Sequence, residues 1–382
     1  MTSALFSSIA LRELEIPNRI VVAPMCQYSA ENGVANDWHL RHLGGLALSG
    51  VGMMITEAIG VEAQGRITPG CLGLYDDEQE QALDRVIRFC RRYGEAKIAL
   101  QLAHAGRKAS TARPWNGGAA LDPSAGGWLT TSSSALPFAE GWPTPSPMSL
   151  ADMDRVRDAF VQAAERAARL DVDAIELHAA HGYLLNQFLS PIANHRDDEY
   201  GGSLENRMRY PLDVFAAVRA VWPEDKPLGV RISATDWQEP GWTIEESVVL
   251  AGELRALGCD FIDVSSGGNT VNRLPVANIE QGYQVPLSEQ IKAEAGIPTI
   301  AVGMIRDPQY AEDVIASGKA DFVALARGLL YEPRWAWRAA EELGAEAPYP
   351  PQYIRAHPKN WPNAFPGRSE IGATRLPIDG RR

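Results

Sequence analysis

The sequence predicts one (β/α)8 TIM barrel that carries an N-terminal hairpin, a long loop after the third strand and a C-terminal arm. Short apolar, β-branched runs recur eight times in the 382 residues, and segments with a helical period separate most of them. Polar residues and glycines collect where these runs end, which is the edge of a barrel that carries reactive groups. An open doubly wound sheet shares the alternation, but no G-x-G-x-x-G follows a predicted strand, so a Rossmann dinucleotide site is not supported.

The eight predicted strands are short, and several are almost wholly apolar, as expected for parallel strands that are covered on both faces. They are Ile20–Met25, Met53–Ile59, Lys97–Ala103, Ala174–Ala180, Leu228–Ser233, Phe261–Ser266, Pro298–Gly303 and Asp321–Ala326. The helices between them are predicted from apolar residues that recur every three to four positions. These helices are Asp76–Tyr93, Leu150–Leu170, Glu205–Trp222, Thr243–Leu257, Leu287–Ala295 and Pro308–Ser317.

Three segments lie outside the alternation. Residues Leu5–Ile16 predict a hairpin that plugs the end of the barrel opposite the reactive edge. Residues Arg107–Met148 are rich in Gly, Pro, Ser and Trp and start at the C-terminal end of a strand, which favours a loop over the active-site mouth; a surface decoration is the alternative. The barrel is expected to span residues 1–356, and residues 357–382 to form an arm or a disordered tail.

Composition narrows the class of protein. The formal net charge of −12 argues against general nucleic-acid binding, which needs a basic face. The sequence shows neither a signal-peptide pattern nor an apolar run of transmembrane length, so we expect a cytoplasmic protein without membrane attachment. Cys26, Cys71, Cys90 and Cys259 form no C-x-x-C pair, so reduced thiols are expected.

The last two strands suggest a phosphate site. Gly303 ends the seventh strand, and Ala326 and Arg327 end the eighth. Backbone N–H groups at these positions would face an anion with Arg327 as the countercharge, because the loops after these two strands form the usual phosphate site of the fold. Taken alone, Arg327 could equally be a salt-bridged surface residue.

Two histidines and a tyrosine follow the fourth strand, in the segment His178-Ala179-Ala180-His181-Gly182-Tyr183. The imidazoles could be metal ligands, but a barrel hydrolase needs further ligands; the first strand offers Cys26 but no H-x-H, and no clear carboxylate stands at the ends of the later strands. They could also be packed core histidines. The remaining interpretation is a pair of hydrogen-bond donors to a developing oxyanion, with Tyr183 as a proton donor.

Five motifs resemble the old yellow enzyme family, and more narrowly its bacterial, thermophilic-like and xenobiotic-reductase branch. The resemblance covers roughly residues 3 to 356, and the motifs keep the order of the family. They are Ala23–Tyr28, Gln101–Lys108, His178–Tyr183, Asn186–Ser190 and Tyr200–Arg207.

The resemblance implies an FMN-dependent ene-reductase. Hydride from NADPH or NADH would pass through FMN to the activated C=C bond of an enone, or to a nitro compound. The residues implied to bind FMN are Ala23, Pro24, Met25, Cys26, Ala58, Gln101, Arg231, Ser265, Ser266, Gly267, Gly303, Met304, Ala326 and Arg327. A metal-dependent hydrolase or a non-catalytic phosphate-binding barrel is the alternative function.

The resemblance also implies roles at the substrate. His178 and His181 would bind the substrate oxygen, Tyr183 would donate the proton, and Tyr28 would line the substrate face. Cys26 would tune the redox potential and contact substrate, unless it is an inert buried thiol. Arg355 would reach the neighbouring subunit's active site in a homodimer or homotetramer, although this chain continues well beyond that position.

Overall fold

Eight parallel strands close into a barrel in the computed structural model, which describes residues 3–271 and 279–360. The predicted (β/α)8 barrel is confirmed. Over these residues the strands are β1 (Ile9–Leu11), β2 (Leu14–Ile16), β3 (Ile20–Val22), β4 (Met53–Gly60), β5 (Lys97–Ala103), β6 (Thr131–Ser132), β7 (Ser146–Pro147), β8 (Ala174–Ala179), β9 (Leu228–Ser233), β10 (Phe261–Ser265), β11 (Thr299–Val302) and β12 (Phe322–Leu325).

The barrel strands follow one another around the ring in chain order, from β3, β4 and β5 through β8 to β12, which pairs again with β3. Each predicted barrel strand overlaps one of these strands, and β4 extends one residue beyond the prediction, to Gly60. The first is shorter than predicted: β3 ends at Val22, although the Ala23 N–H still donates to the carbonyl oxygen of Leu325 at 3.0 Å.

Helices surround this ring. Over the described residues they are α1 (Asp37–Ala47), α2 (Asp77–Tyr93), α3 (Leu150–Arg169), α4 (Leu184–Leu189), α5 (Leu204–Val221), α6 (Ile244–Ala256), α7 (Val285–Ala295), α8 (Pro308–Ala316), α9 (Arg327–Tyr331) and α10 (Trp335–Glu342). The six predicted helices are all present. Side chains at the N-caps of α2, α3, α5, α6 and α8 accept backbone N–H groups of the first turn.

The N-terminal hairpin closes the lower end of the barrel, as predicted. Strands β1 and β2 pair antiparallel, and the buried side chains of Leu11 and Ile16 pack with residues that begin the barrel strands, such as Met53, Phe261 and Phe322. Because these strand starts lie at the N-terminal end of the barrel, the opposite end is left for the site.

The long loop after β5 lies over the other end of the barrel. Arg113 Nε donates to the carbonyl oxygen of Tyr28 at 2.7 Å, and the ring of Trp115 meets the Tyr28 ring edge-on at 6.0 Å. Deeper in the loop, Ser132 Oγ donates to Gln187 Oε1 at 2.9 Å. The loop therefore covers the mouth and is not a separate surface decoration.

The C-terminal residues that the structure describes pack beside α10. A 3-10 helix spans Pro351–Ala356, Tyr349 stacks on Trp337 at 4.0 Å, and His357 lies 4.5 Å from the Tyr349 ring. The predicted arm falls largely on residues 361–382, outside the described residues. In the part of the chain that is described, no helix combines the length and apolar character needed to cross a bilayer.

Candidate active site

A cavity of about 440 Å³ opens at the C-terminal ends of β11 and β12. Six of the residues predicted to bind FMN line it: Arg231, Ser265, Gly303, Met304, Ala326 and Arg327. Gly303 has φ +135°, where a side chain is strained, and a Cβ there would stand 3.3 Å from the backbone nitrogen of Gln284. Because no side chain shields the backbone at Gly303, a phosphate group can approach its N–H groups closely.

Tyr283 and Gln284 also line this cavity, and neither was predicted from the sequence. Ser266 Oγ donates to Gln284 Oε1 at 2.5 Å, while Gln284 Nε2 donates to the carbonyl oxygen of Val302 at 3.0 Å. Gln284 thus ties β11 to the segment after β10, which contains Gly267. A glutamine at the start of a helix carries no sequence signal for such a role.

The wall of the site towards the barrel interior is built from charged and polar side chains. Gln101 Nε2 donates to Glu176 Oε1 at 2.7 Å. Arg231 Nε lies 3.2 Å from Asp263 Oδ2, but it is misaligned for a hydrogen bond and has no other partner among the described residues. Arg231 therefore retains donor capacity for a group bound in the cavity. Glu176 and Asp263 were not predicted.

The segment after β3 and the end of β4 form the next part of the rim. Residues 23–26 follow β3 directly, and Ala58 pairs in register with Gln101 after a bulge in β4. Cys26 is partly buried, and burial raises the pKa of its thiol well above the ordinary value. Cys26 is therefore a neutral thiol. Tyr28, whose phenol pKa is also raised by burial, contacts the long loop as described above.

His178, His181 and Tyr183 converge at the mouth. His178 Nε2 and His181 Nδ1 are 3.3 Å apart, and His181 Nε2 is 2.6 Å from Ser265 Oγ. The Tyr183 ring stands edge-on to the His178 ring at 4.9 Å. Burial, and then the positive charge of Arg231, lower the pKa values of both histidines well below the ordinary value, so both rings are neutral at pH 7.

The turn that carries these rings is held by an unusually close contact between two chain segments. His181 has φ +58°. A Cβ on Gly182 would lie 2.3 Å from the carbonyl oxygen of Gly268, and a Cβ on Gly268 would lie 2.5 Å from the Cα of His181. Both positions require glycine, because the two backbones touch there.

Lys108 supports the same turn from behind. Its Nζ donates to the carbonyl oxygens of His181 at 2.7 Å and Gly268 at 2.9 Å, and it lies 5.1 Å from the centre of the Tyr183 ring. Burial, followed by repulsion from Arg107, lowers the pKa of Lys108 to about 7. Lys108 lies in one of the motifs, yet its place beside Tyr183 could not be derived from the sequence.

Arg355 is not among the residues that line the cavity. It is exposed on the 3-10 helix Pro351–Ala356. A groove of about 600 Å³ lies beside this helix, and its lining includes Arg41, Tyr331 and Tyr353. Over the described residues, no group of three or more His, Cys, Asp or Glu side chains could hold a metal ion.

The residues fit FMN. The cavity is lined by the Gly303 backbone and Arg327 at the strand ends, and by Arg231, whose Nε has no hydrogen-bond partner among the described residues. The neutral imidazoles of His178 and His181 and the phenol of Tyr183 lie at the mouth. A barrel with this site defines a flavin-dependent oxidoreductase.

The family described as the NADH:flavin oxidoreductase / NADH oxidase family matches residues 4–346, and the chain belongs to it. An NADPH dehydrogenase of Geobacillus thermodenitrificans (strain NG80-2) is 44% identical over 357 residues, 93% of this chain and 99% of that protein. An NADPH dehydrogenase of Bacillus subtilis (strain 168) is 40% identical over 357 residues, with the same two coverages. Morphinone reductase aligns in structure over 91% of each chain, with a TM-score of 0.75 and 27% identity.

The resemblance to the old yellow enzyme family is therefore confirmed. The protein is an FMN-dependent NAD(P)H oxidoreductase.

Proposed function

We propose that the protein reduces the activated C=C bond of α,β-unsaturated carbonyl compounds, and also nitro compounds. Bound FMN supplies the hydride, which it receives from NADPH or NADH. The observation that carries the proposal is the facing pair of ring nitrogens, His178 Nε2 and His181 Nδ1, 3.3 Å apart beside Tyr183. The solved complex of morphinone reductase with tetrahydroNAD lends support, since that structural relative is named as a reductase.

The hydrogen bonds around His178 define which nitrogen carries its proton. The backbone N–H of Ala180 donates to His178 Nδ1 at 3.1 Å, so the proton of the neutral ring is on Nε2. His178 therefore donates towards His181 Nδ1, and His181 Nε2–H points to Ser265 Oγ.

A substrate oxygen placed between the rings would be bound from both sides. His178 already presents Nε2–H. His181 presents Nδ1–H once its proton moves to that nitrogen, and the Ser265 hydroxyl then donates to His181 Nε2. Negative charge builds on the substrate oxygen during reduction, so these neutral donors bind the transition state more strongly than the ground state.

Tyr183 is the proposed proton donor. Burial raises the pKa of its phenol well above the ordinary value, so the proton stays on the oxygen at neutral pH. Such a phenol is a weak acid, but the carbon next to the reduced β-carbon is strongly basic once the substrate oxygen carries charge. Positioned proton transfer of this kind contributes about 10²- to 10⁴-fold to a rate.

We further propose that a second copy of the chain covers the groove beside the 3-10 helix, in a homodimer or homotetramer. Tyr331 at this groove is 94% exposed and Leu330 is 49% exposed, and exposed aromatic and apolar residues of this kind are typical of interfaces. Arg355, next to Tyr353, would then enter the neighbouring active site.

We place this activity in the cytoplasm. The four cysteines of the chain are all free thiols in the structure, as expected in a reducing compartment.

Half-reaction kinetics test the proposed function. Under anaerobic conditions, NADPH should bleach the flavin absorption of the purified protein, and cyclohexenone should restore it. Tyr183→Phe should slow the recovery by about 10²-fold or more while bleaching by NADPH stays close to wild type. His178→Ala should weaken enone binding and leave FMN bound. Bleached protein that cyclohexenone and nitro compounds cannot reoxidise would contradict the proposal.

A further inference from the structure

Four polar side chains form one layer across the inside of the barrel, below the mouth. Gln101, Glu176, Arg231 and Asp263 come from four successive strands of the ring: β5, β8, β9 and β10. Gln101 pairs in register with Glu176, and Arg231 pairs in register with Asp263. Glu176 and Asp263 are both 0% exposed.

This layer contains two carboxyl groups and one guanidinium. Gln101 on β5 is neutral, and His178, above Glu176 on β8, is neutral because burial lowers its pKa. On β3, β4, β11 and β12 the side chains packed inside the barrel include Val21, Ile55, Ile300 and Ala324, which carry no charge. One fixed positive charge therefore faces two acids.

The two acids also have more carboxyl oxygens than the layer has hydrogen-bond donors for them. Over the described residues, Glu176 Oε2 and both carboxyl oxygens of Asp263 are buried without a hydrogen-bond partner. Asp263 has the Arg231 guanidinium 3.2 Å away, whereas the hydrogen bond of Glu176 comes from the neutral amide of Gln101 and Arg231 acts on Glu176 without forming an ion pair with it. A buried carboxylate without a charged partner takes up a proton, because its charge is poorly solvated.

We propose that Glu176 and Asp263 hold one proton at neutral pH, that the proton resides on Glu176, and that it sets the electron affinity of the bound flavin. The proposal rests on the proposed position of the flavin against Gln101 and Arg231. Glu176 is a positioning residue in this scheme, since it acts through Gln101 and through the charge of the layer.

The direction of the shift in acidity agrees with this assignment. Burial, and then the nearby Asp263 carboxylate, raise the pKa of Glu176 to about 8, although the Arg231 guanidinium and the hydrogen bond from Gln101 oppose part of that increase. Burial also raises the pKa of Asp263, but the Arg231 guanidinium opposes that increase. Of the two acids, Glu176 is the one that keeps its proton.

The proton on Glu176 affects how readily the bound flavin is reduced. With Glu176 neutral, the charges of Asp263 and Arg231 cancel, and the layer does not oppose the arrival of electrons. With Glu176 ionised, the layer carries a net negative charge and disfavours reduction. At pH values above the raised pKa of Glu176, NAD(P)H supplies the electron pair, and bulk water supplies the proton that binds Glu176 Oε2.

Infrared spectroscopy of the FMN-loaded, full-length protein tests where the proton is. With ¹³C-labelled Glu and Asp, wild type at neutral pH should show the C=O stretch of one protonated buried carboxyl. The band should be lost in Glu176→Gln. It should also be lost in Asp263→Asn, because Glu176 then ionises to pair with Arg231. The matched control is Glu57→Gln, since Glu57 is also buried but faces His39 at 3.4 Å; the band should persist.

Redox titration tests the effect on the flavin. At alkaline pH the wild-type midpoint potential should fall more steeply with pH than that of Glu176→Gln, by about 30 mV per pH unit for one proton per two electrons. The glutamine keeps an oxygen that can accept from Gln101 Nε2, so hydrogen bonding is preserved.

Three results would overturn the proposal: a missing band in wild type, a band that survives in Glu176→Gln or in Asp263→Asn, or equal slopes in wild type and Glu176→Gln. None of these depends on which substrate reoxidises the flavin. A failure of cyclohexenone to reoxidise it would contradict the proposed function alone.

Discussion

Lys108 links the backbone of the turn at His181 to the phenol of Tyr183, which is proposed to release a proton. It donates to His181 and Gly268 and stands 5.1 Å from the Tyr183 ring. A cation so close favours the deprotonated phenol, so the charged lysine should make Tyr183 a better acid. Because the pKa of Lys108 is lowered to about 7, this help should change within the physiological pH range.

We therefore predict that flavin reoxidation by cyclohexenone slows as pH rises through about 7, by on the order of tenfold if the phenol pKa rises by one unit. Lys108→Met should be slow at all pH values and lack this transition. Stopped-flow measurements across the pH range check this, with Lys319→Met on the surface as the control. An unchanged pH transition in Lys108→Met would show that another group causes it.

The sequence identified site residues that lie in long motifs, but it did not identify the buried residues that contact them. Six of the residues that line the cavity beside Arg327, with Arg327 among them, were predicted. Glu176 and Asp263 were missed because single acids inside apolar runs carry no motif. A signal was nevertheless available: each lies two positions before a predicted site residue, His178 or Ser265, and such positions face the same side of a strand.

The strands and helices themselves followed the periodicity of the sequence closely. Among the described residues, the helix α1 and the shorter helices α4, α9 and α10 were not predicted, and α1 shows the reason most clearly. It contains Gly44 and Gly45, which disfavour helices in isolation. Gly44 is needed because a Cβ there would stand 2.5 Å from the Phe89 ring on α2. Tertiary packing therefore decides this helix, and local propensity alone does not reveal it.

The hairpin β1–β2 gives a prediction at the scale of an element. Ile16→Ala should lower the free energy of unfolding by about 2–5 kcal/mol, because the side chain is 0% exposed and packs in the barrel floor. Chemical denaturation of protein saturated with FMN measures this. Glu15→Ala on the exposed face of the same strand is the matched control. Equal stability of the two variants would mean that the hairpin does not seal the floor.

At the scale of the whole molecule, the barrel follows from patterns in the sequence, whereas the homodimer or homotetramer is a proposal. Alternating strands and helices predict a parallel α/β fold, and the missing dinucleotide motif together with the eight repeats favours the closed ring over an open sheet. The sequence does not define the partner surface in the same way. The groove beside Arg41 and Tyr353 is built from a loop, two helices and the 3-10 helix, which come together only in the folded chain.

The proposed assembly predicts a shared effect of two substitutions. Arg355→Ala should raise the KM for enones by about tenfold, the loss expected for one charged hydrogen bond, without changing the oligomeric state. Tyr331→Asp should dissociate the oligomer and raise KM similarly. Sedimentation velocity and steady-state kinetics measure both. A monomeric wild type, or dissociation with an unchanged KM, would contradict the role of Arg355.

The contact between Gly182 and Gly268 limits how this enzyme can be altered. The imidazoles and the phenol are attached to a turn that admits no side chain at either glycine. Laboratory evolution of substrate preference should therefore recover almost no changes at these two positions. Accepted changes should instead accumulate on the opposite wall, at Tyr28 and at Trp115, which is 64% exposed. The turn therefore keeps the imidazoles and the phenol in place, whereas substitutions at the opposite wall and in the loop over the mouth change the substrate preference.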